Sequence, residues 1–476
     1  MTTTRRAFGS VALAIALVTV LHVVGLALFT RGFLLQRVEL PHESTCAPRA
    51  AWTIPTPPAD IERQLPEWDA ALDPAHAGEC ALPPRYSRVV LWIIDSLRYD
   101  FVAPVPHDSN ATWANPYIHG ILMTPARVHA RARDASFLGL FVADPPTTTL
   151  QRLKGLTTGS LPTFIEAGAN FGGAGRVRED NWIAQFRRHI GNASGPFAFV
   201  GDDTWATVFS DLFDSRVEWP YSSFNVEDLD TVDAGVTERM LGLLDARAAP
   251  QQSTTYPSDW RLLIAHSLGV DHVGHRFGAA HPRMVPKLAQ MDRLVQDVVA
   301  RLDDDTLFLL LGDHGMDATG DHGGDTELEV GAALWAHAKK PFCDASAAHD
   351  IPDLFARANL SLDAPFTLVP GTHRATQQID LVPTLALLLG TPVPFNNLGT
   401  AIPEFFCGDL AHRDSRLLRA LRINARQIRT YLAEYTKSAE DLARYEPELT
   451  ALWERALRAD AHYARLVHAR APLRDA

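Results

Sequence analysis

Seven side chains, spread over more than two hundred residues, have the types needed for phosphoryl transfer at two metal ions. Carboxylates and imidazoles bind divalent cations, and a hydroxyl can accept a phosphoryl group. The seven residues are Asp95, Thr149, Asp271, His275, Asp313, His314 and His322.

Several of these residues follow short apolar runs that are typical of buried strands. Asp95 ends the run Arg88-Val-Val-Leu-Trp-Ile-Ile, and Asp313 follows Leu307-Phe-Leu-Leu-Leu-Gly. Asp271 comes shortly after the apolar run 260–264. Open α/β sheets bind ligands at the carboxyl ends of their strands. Three strands that lead to carboxylate or imidazole side chains therefore indicate a reaction site.

One metal ion is predicted where Asp271 and His275 converge, with His322 as the third ligand. The spacing Asp-x-x-x-His allows both side chains to reach one ion.

A second ion is predicted at Asp313 and His314, which a turn after their strand can direct at one point, and Asp95 completes this site. Mixed carboxylate and imidazole ligation favours two Zn²⁺ ions, with Mn²⁺ or Mg²⁺ as weaker candidates. Two such ions stabilise the attacking and the leaving oxygen of an in-line displacement.

The hydroxyl-rich segment 145–154 supplies a candidate nucleophile, Thr149, at the start of a helical pattern. Backbone N–H groups at a helix N-terminus attract a phosphoryl group. The alternative is that the threonines at 147–149 only cap a helix. Asp321 and Asp325 flank His322, and we expect them to orient the ligands.

Strands that alternate with helices predict an α/β fold, a mainly parallel sheet with helices on both faces. Helical patterns cover Lys287–Leu302 and Asp380–Leu389. The predicted strands are Val89–Ile94, Phe197–Val200, Leu262–Ala265 and Leu307–Leu311.

Four regions are predicted along the 476 residues. Residues 1–31 contain the apolar run Phe8–Phe29, interpreted as an uncleaved N-terminal transmembrane signal anchor. Residues 32–86 form a Pro-rich luminal connector, and residues 87–407 form the catalytic domain. Residues 408–476 form an α-helical extension, in which Ser415–His468 predicts a helical hairpin with one interruption at Pro447.

The cysteines and sequons favour an oxidising, luminal compartment. Four cysteines show no close metal-binding spacing, and Cys46 with Cys80 is the natural short disulfide, although four unrelated thiols are an alternative. Three glycosylation sequons, which are weak support, begin at Asn110, Asn192 and Asn359. The net charge of -12 argues against a nucleic-acid partner.

The order of the seven residues resembles the alkaline phosphatase superfamily, and the surrounding segments resemble the GPI ethanolamine phosphate transferases. The closest resemblance is to the branch that modifies the third mannose. The segments that carry it are 32–37, 147–163, 201–205, 320–325, 378–390 and 394–399.

The resemblance implies an alkaline-phosphatase-like fold and an enzyme of the endoplasmic reticulum membrane with a luminal catalytic domain. The enzyme would transfer phosphoethanolamine from phosphatidylethanolamine to the 6-hydroxyl of a mannose in a GPI-precursor lipid. Thr149 would be the nucleophile, with Thr148 as the runner-up. One zinc would be held by Asp95, Thr149, Asp313 and His314, and the other by Asp271, His275 and His322. A small membrane subunit would be a partner.

Members of this family continue into a polytopic membrane domain, whereas this sequence stops at Ala476. We therefore expect either that the sequence is part of a longer protein or that it is a reduced form with a single anchor. Two other functions compete with the transferase: a phosphodiesterase or nucleotide pyrophosphatase of the same superfamily, and a non-catalytic truncated luminal module. A sulfatase is disfavoured because no Cys-x-Pro-x-Arg stands at Thr149.

Overall fold

A mixed β-sheet is the central layer of the fold in the computed structural model. The structure describes residues 2–33, 37–46, 80–103, 121–161, 176–191, 195–251, 253, 255–342, 374–407 and 416–470. The strands are β1 (Arg88–Ile94), β2 (Ser136–Val142), β3 (Phe197–Asp202), β4 (Glu218–Tyr221), β5 (Leu262–Ser267), β6 (Thr306–Leu311), β7 (Gly331–His337) and β8 (Ala375–Gln377). Their order across the sheet is β4-β3-β5-β1-β6-β7-β2-β8.

Helices lie on both faces of this sheet. The helices are α1 (Thr2–Phe33), α2 (Tyr99–Val102), α3 (Thr124–Arg131), α4 (Thr149–Thr158), α5 (Trp182–Ile190), α6 (Thr204–Val208), α7 (Thr231–Ala248), α8 (Gly269–Phe277), α9 (Met284–Arg301), α10 (Glu327–Val330), α11 (Leu381–Leu388), α12 (Arg416–Tyr435), α13 (Glu440–Ala443) and α14 (Glu446–Arg470). Side chains of α4, α5 and α11 share one core with Val89, Leu91 and Ile93 of β1. Side chains of α7 and α9 share a second core with Val90 and Trp92.

The strand directions confirm the predicted mainly parallel α/β sheet. Strands β4, β3, β5, β1 and β6 are parallel neighbours. Strand β7 is antiparallel to both β6 and β2, and β2 is parallel to β8. The four predicted strands are β1, β3, β5 and β6. Strands β2 and β7, which are also buried, were not predicted.

The N-terminal region differs from the predicted transmembrane anchor. Helix α1 covers Thr2–Phe33. Within the described part of the chain, no helix combines the length and the apolarity that a membrane span requires.

The segment 37–46 after α1 is irregular and is fixed to the domain. Leu40 packs with Phe395 and Tyr431. The disulfide between Cys46 and Cys80 is present, as predicted. Cys407 is also disulfide-bonded. The three sequons, at Asn110, Asn192 and Asn359, lie outside the described residues.

The C-terminal region is helical, as predicted, but the interruption lies before Pro447 and not at it. Short helix α13 separates α12 from α14, and Pro447 lies in the first turn of α14. Proline is tolerated there because the first N–H groups of a helix have no intrahelical partner. Leu417, Ala420 and Ile423 of α12 belong to the same core as α11. Helix α12 is therefore packed against the sheet domain.

Candidate metal centre

The carboxyl ends of three adjacent parallel strands bring the predicted ligands to one edge of the sheet. Strand β1 pairs with β5 on one side and with β6 on the other. Asp95 directly follows β1, and its backbone N–H donates to the carbonyl of Ser267 at 2.9 Å. Asp313 lies two residues beyond β6, and α8 starts two residues beyond β5. Side chains that are far apart in sequence therefore meet here.

The first cluster consists of Asp271, His275 and His322, whose ligand atoms lie within 4.8 Å of one another. Asp271 and His275 are one turn apart on α8, with 3.5 Å between Asp271 Oδ1 and His275 Nε2. His322 Nε2 is also 3.5 Å from Asp271 Oδ1. This is the trio that the sequence predicts for one metal ion.

The imidazole of His322 is oriented for metal binding. Its Nδ1 lies 2.9 Å from the carbonyl oxygen of Thr147, which can only accept a hydrogen bond. The proton is therefore on Nδ1, and the lone pair of Nε2 faces the cluster. Nε2 of His275 lies 3.0 Å from Nε2 of His322. Two facing ring nitrogens beside a carboxylate fit a divalent cation between them.

The second cluster consists of Asp95, Asp313 and His314, all of them buried. His314 Nε2 is 3.6 Å from Asp95 Oδ1 and 3.3 Å from Asp313 Oδ2. His314 Nδ1 donates to the carbonyl of Gly315 at 2.9 Å, which leaves a lone pair on Nε2. Both His314 Nε2 and Asp313 Oδ2 lack a hydrogen-bond partner. Unsatisfied buried atoms of this kind fit a cation site.

The charges in the second cluster also fit a cation site. Burial raises the pKa of Asp95 well above its usual value, and the neighbouring carboxylates of Asp313, Asp271 and Asp202 raise it further. Burial lowers the pKa of His314 well below its usual value, with His322 as a second cause. The site thus concentrates carboxylates beside a neutral imidazole, the donor set that Zn²⁺ binds.

Thr149 is the first residue of α4, and Thr148 is its N-cap. Thr149 is half-buried. The loop before it is tied to the His322 loop, because Oγ1 of Thr147 accepts from Gly323 N at 2.9 Å and donates to the carbonyl of Gly324 at 2.9 Å. The N-terminus of α4 is therefore held beside the first cluster. The Oγ1 of Thr148 instead contacts the side chain of Gln151.

Ser96 bridges the two clusters and was not predicted. Its Oγ donates to Asp271 Oδ1 at 2.7 Å, and its backbone N–H donates to Asp313 Oδ1 at 3.2 Å. Its φ of 58° is unusual for a residue other than glycine. Nothing in the sequence signals this backbone conformation. Ser96 fixes both carboxylates relative to β1.

Arg152 is a second residue that the sequence did not reveal. Its side chain is wholly buried one turn after Thr149, with Nη1 3.6 Å from Asp144 Oδ2. Burial lowers the pKa of Arg152 to about 10, while Asp144 and then Asp313 act in the opposite direction. This buried cation interacts electrostatically with Asp313 and partly balances the carboxylates of the second cluster.

His266 is a third residue near the clusters that was not predicted, although its place in the sequence could have indicated it. It stands at the end of the apolar run of β5, as Asp95 does at the end of β1. Its Nε2 lies 3.4 Å from Asp95 Oδ2.

Asp321 and Asp325, the two residues expected to orient the metal ligands, are both exposed. Asp321 Oδ1 is 3.8 Å from His275 Nδ1.

Comparisons with known proteins show what this chain is similar to. The model of the family described as type I phosphodiesterase / nucleotide pyrophosphatase matches residues 175–340. GPI ethanolamine phosphate transferase 3 of Schizosaccharomyces pombe is 39% identical over 426 residues, which are 90% of this chain and 39% of that protein. The catalytic subunit of the same enzyme of Mus musculus is 42% identical over 442 residues, 91% of this chain and 35% of that protein.

The chain belongs to the GPI ethanolamine phosphate transferase family. The predicted resemblance is thereby confirmed. GPI ethanolamine phosphate transferase 2 of Eremothecium gossypii is less similar, at 33% identity over 331 residues, 68% of this chain and 36% of that protein. The chain spans little more than a third of the length of these relatives.

Proposed function

We propose that this chain transfers phosphoethanolamine from phosphatidylethanolamine to the 6-hydroxyl of a mannose in a GPI precursor. One observation carries the proposal. Thr149 is the first residue of a helix, and the loop before this helix is hydrogen-bonded to the loop of His322, one of the three candidate metal ligands of the first cluster. A nucleophile, an anion-attracting helix N-terminus and cation ligands are what phosphoryl transfer requires.

We assign two Zn²⁺ ions to these clusters. Asp271, His275 and His322 would hold one. The ligands of the other would be Asp95, Thr149, Asp313 and His314. Zinc bound there lowers the pKa of a coordinated hydroxyl and balances charge on the phosphate oxygens.

The reaction proceeds through a covalent intermediate on Thr149. Its Oγ loses its proton and attacks the phosphorus of phosphatidylethanolamine, and the bond from phosphorus to the diacylglycerol oxygen breaks. Diacylglycerol takes up a proton and leaves. The mannose hydroxyl then attacks the phosphorus and gives up its proton, and the hydroxyl of Thr149 is restored. The backbone N–H groups at the start of α4 stabilise the negative charge in both steps.

We assign the third mannose as the acceptor. The support is that the relatives named type 3 are 39–42% identical to this chain. The relatives named type 2 are 31–33% identical.

We place the enzyme at the endoplasmic reticulum membrane with its catalytic domain in the lumen and with a small membrane subunit as a partner. The disulfide between Cys46 and Cys80 supports an oxidising compartment. Exposed apolar side chains on α1, such as Leu13 and Leu21, support contact with lipid.

Capture of the intermediate tests this function. The full chain is incubated with zinc and phosphatidylethanolamine in detergent micelles, and intact mass and peptide mapping follow. We expect one phosphoethanolamine group on the peptide that contains Thr149. The adduct should be absent from Thr149→Ala and present in Thr148→Ala. An adduct in Thr149→Ala would refute the assignment of the nucleophile.

Phosphodiester hydrolysis is the second candidate function. It is favoured by the match of residues 175–340 to the phosphodiesterase family model. That segment includes Asp271, His275, Asp313, His314 and His322, but neither Asp95 nor Thr149. Incubation with a nucleotide phosphodiester separates the two functions, because rapid hydrolysis without transfer to a GPI-like mannoside would favour the hydrolase.

A further inference from the structure

His266 is a wholly buried imidazole behind the second cluster. Its Nε2 faces Oδ2 of Asp95 at 3.4 Å and makes no hydrogen bond in the structure. Its Nδ1 accepts a hydrogen bond from the indole Nε1 of Trp205 at 3.1 Å. By distance alone, His266 groups with Asp95 and Asp313 as a candidate metal ligand.

The hydrogen bond from Trp205 decides which nitrogen of His266 carries the proton. An indole N–H can only donate, so Nδ1 of His266 must present a lone pair to it. The proton of the neutral imidazole is then on Nε2, the nitrogen that faces Asp95. A protonated nitrogen has no lone pair for a metal ion, but it can donate to a carboxylate.

Two of the three proposed ligand imidazoles, His314 and His322, have the opposite arrangement. Nδ1 of His314 faces the carbonyl of Gly315, and Nδ1 of His322 faces the carbonyl of Thr147. Carbonyl oxygens only accept, which places the proton on Nδ1 and the lone pair on Nε2 in both residues. The partner of Nδ1 therefore separates His314 and His322, which can bind metal, from His266, which cannot.

We propose that His266 is a positioning residue whose protonated Nε2 attracts Oδ2 of Asp95, and that it is itself no metal ligand. This inference rests on the proposed function of the metal centre. This attraction leaves the other oxygen, Oδ1, facing the second cluster, where His314 Nε2 is 3.6 Å away. Trp205 fixes the tautomer of His266, and His266 fixes the rotation of the Asp95 carboxylate about its bond to Cβ.

The backbone around His266 explains how Trp205 reaches it. Gly201, at a φ of 129°, lies against the carbonyl of His266, and a Cβ at Gly201 would be 2.0 Å from that oxygen. Only glycine permits this approach of β3 to β5, and α6, which carries Trp205, starts three residues later. The carboxylate of Asp202 lies 3.9 Å from Nδ1 of His266. It would attract a proton to Nδ1 if the Trp205 N–H were removed.

The test compares zinc affinity, measured by competition with a chromophoric chelator, among variants of the full chain. His266→Gln keeps a side-chain N–H that can reach Asp95, whereas His266→Phe has none. Trp205→Phe removes the indole N–H and keeps an aromatic ring. Trp260→Phe is the matched control, because Trp260 is also wholly buried but lies at the amino end of β5 and donates to the carbonyl of Leu243. Thermal melting of each zinc-free variant shows that it is folded.

We expect His266→Phe and Trp205→Phe to weaken binding at one of two zinc sites by about 10- to 100-fold, the range for a residue that orients a ligand. His266→Gln and Trp260→Phe should bind nearly as the unaltered chain does. Equal loss in His266→Gln and His266→Phe, with no loss in Trp205→Phe, would show that His266 is a ligand and overturn the proposal. Unchanged affinity in His266→Phe would also overturn it. A failure of the unaltered chain to bind zinc would instead refute the metal centre of the proposed function.

Discussion

The carbonyl oxygen of Thr147 accepts a hydrogen bond from Nδ1 of His322 at 2.9 Å, across 175 residues of sequence. The side chain of Thr147 adds two more contacts to the same loop, from Gly323 N and to the carbonyl of Gly324. One residue thus sets the tautomer of His322 and holds the start of α4 beside it. The position of the nucleophile and the orientation of a metal ligand are coupled through this loop.

Replacement of Thr147 by valine should therefore weaken zinc binding and transferase activity together. Valine has a similar shape but leaves the N–H of Gly323 without an acceptor, which costs about 1–3 kcal/mol in a buried site. We expect at least a tenfold loss of activity in Thr147→Val, and most of the activity in Thr147→Ser, which keeps the hydroxyl. Steady-state transfer assays and zinc titrations measure both effects. Full activity of Thr147→Val would contradict the coupling.

Removal of zinc should abolish transfer and lower the melting temperature, because carboxylates and imidazoles of the two clusters would lose their shared cation. A ligand at 100 times its dissociation constant stabilises a protein by about 2.7 kcal/mol. His322→Ala should lose most of this zinc-dependent stabilisation. His189→Ala, at an exposed position of α5, should retain it. Calorimetry with and without zinc measures the difference, and equal shifts in both variants would contradict metal binding at His322.

Sequence periodicity predicted the parts of the fold that follow simple rules. β1, β5 and β6 are continuous apolar runs, and α9 has a regular apolar face, so their residues identify them. The carboxyl-end rule for parallel sheets then placed Asp95, Asp271 and Asp313 at one edge. This local reasoning covered the strands that carry the ligands.

Residues whose role depends on contacts across the fold were not predictable in this way. Ser96 acts through a φ of 58°, and Arg152 through a buried position one turn after Thr149. His266 differs from His314 in the partner of its Nδ1, which for His266 is Trp205, 61 residues away in the sequence. The sequence alone does not show which ring nitrogen of a histidine is protonated.

A buried ion pair holds the segment that follows α1 to the domain. Loss of this pair should lower the free energy of unfolding. Arg37 Nη1 donates to Glu179 Oε1 at 2.7 Å, and the side chains are 9% and 4% exposed. Glu179 also accepts from the side-chain amide of Asn396. Loss of one partner of a buried pair typically costs about 3–5 kcal/mol. Arg37→Ala should therefore be strongly destabilised in urea unfolding.

The control for this variant is Arg176→Ala. Arg176 pairs with Asp211, but both side chains are more than half exposed, and exposed pairs contribute about 0–1 kcal/mol. A similar loss of stability in the two variants would show that the pair of Arg37 and Glu179 does not fix the segment.

Asp380 should make the protein less stable as the pH rises from about 4 to about 6. Burial raises the pKa of Asp380 from 3.8 to about 6, against backbone N–H groups of Thr400 and Gln377 that donate to it. Above pH 3.8 the unfolded chain releases this proton, whereas the folded protein retains it until about pH 6. The free energy of unfolding is therefore unaffected below about pH 4 and falls between pH 4 and pH 6. Above pH 6 the loss is complete, at about 3 kcal/mol.

Asp380→Asn should lack this dependence, because an amide does not titrate. Relative to Asp380→Asn, the unaltered chain should lose up to about 3 kcal/mol of unfolding free energy between pH 4 and pH 7. Urea unfolding at a series of pH values measures this difference. Asp259→Asn, at an exposed carboxyl, is the control and should follow the unaltered chain. Parallel pH profiles for the unaltered chain and Asp380→Asn would mean that Asp380 ionises alike in both states, since only a difference in proton binding between the folded and unfolded states produces such a slope.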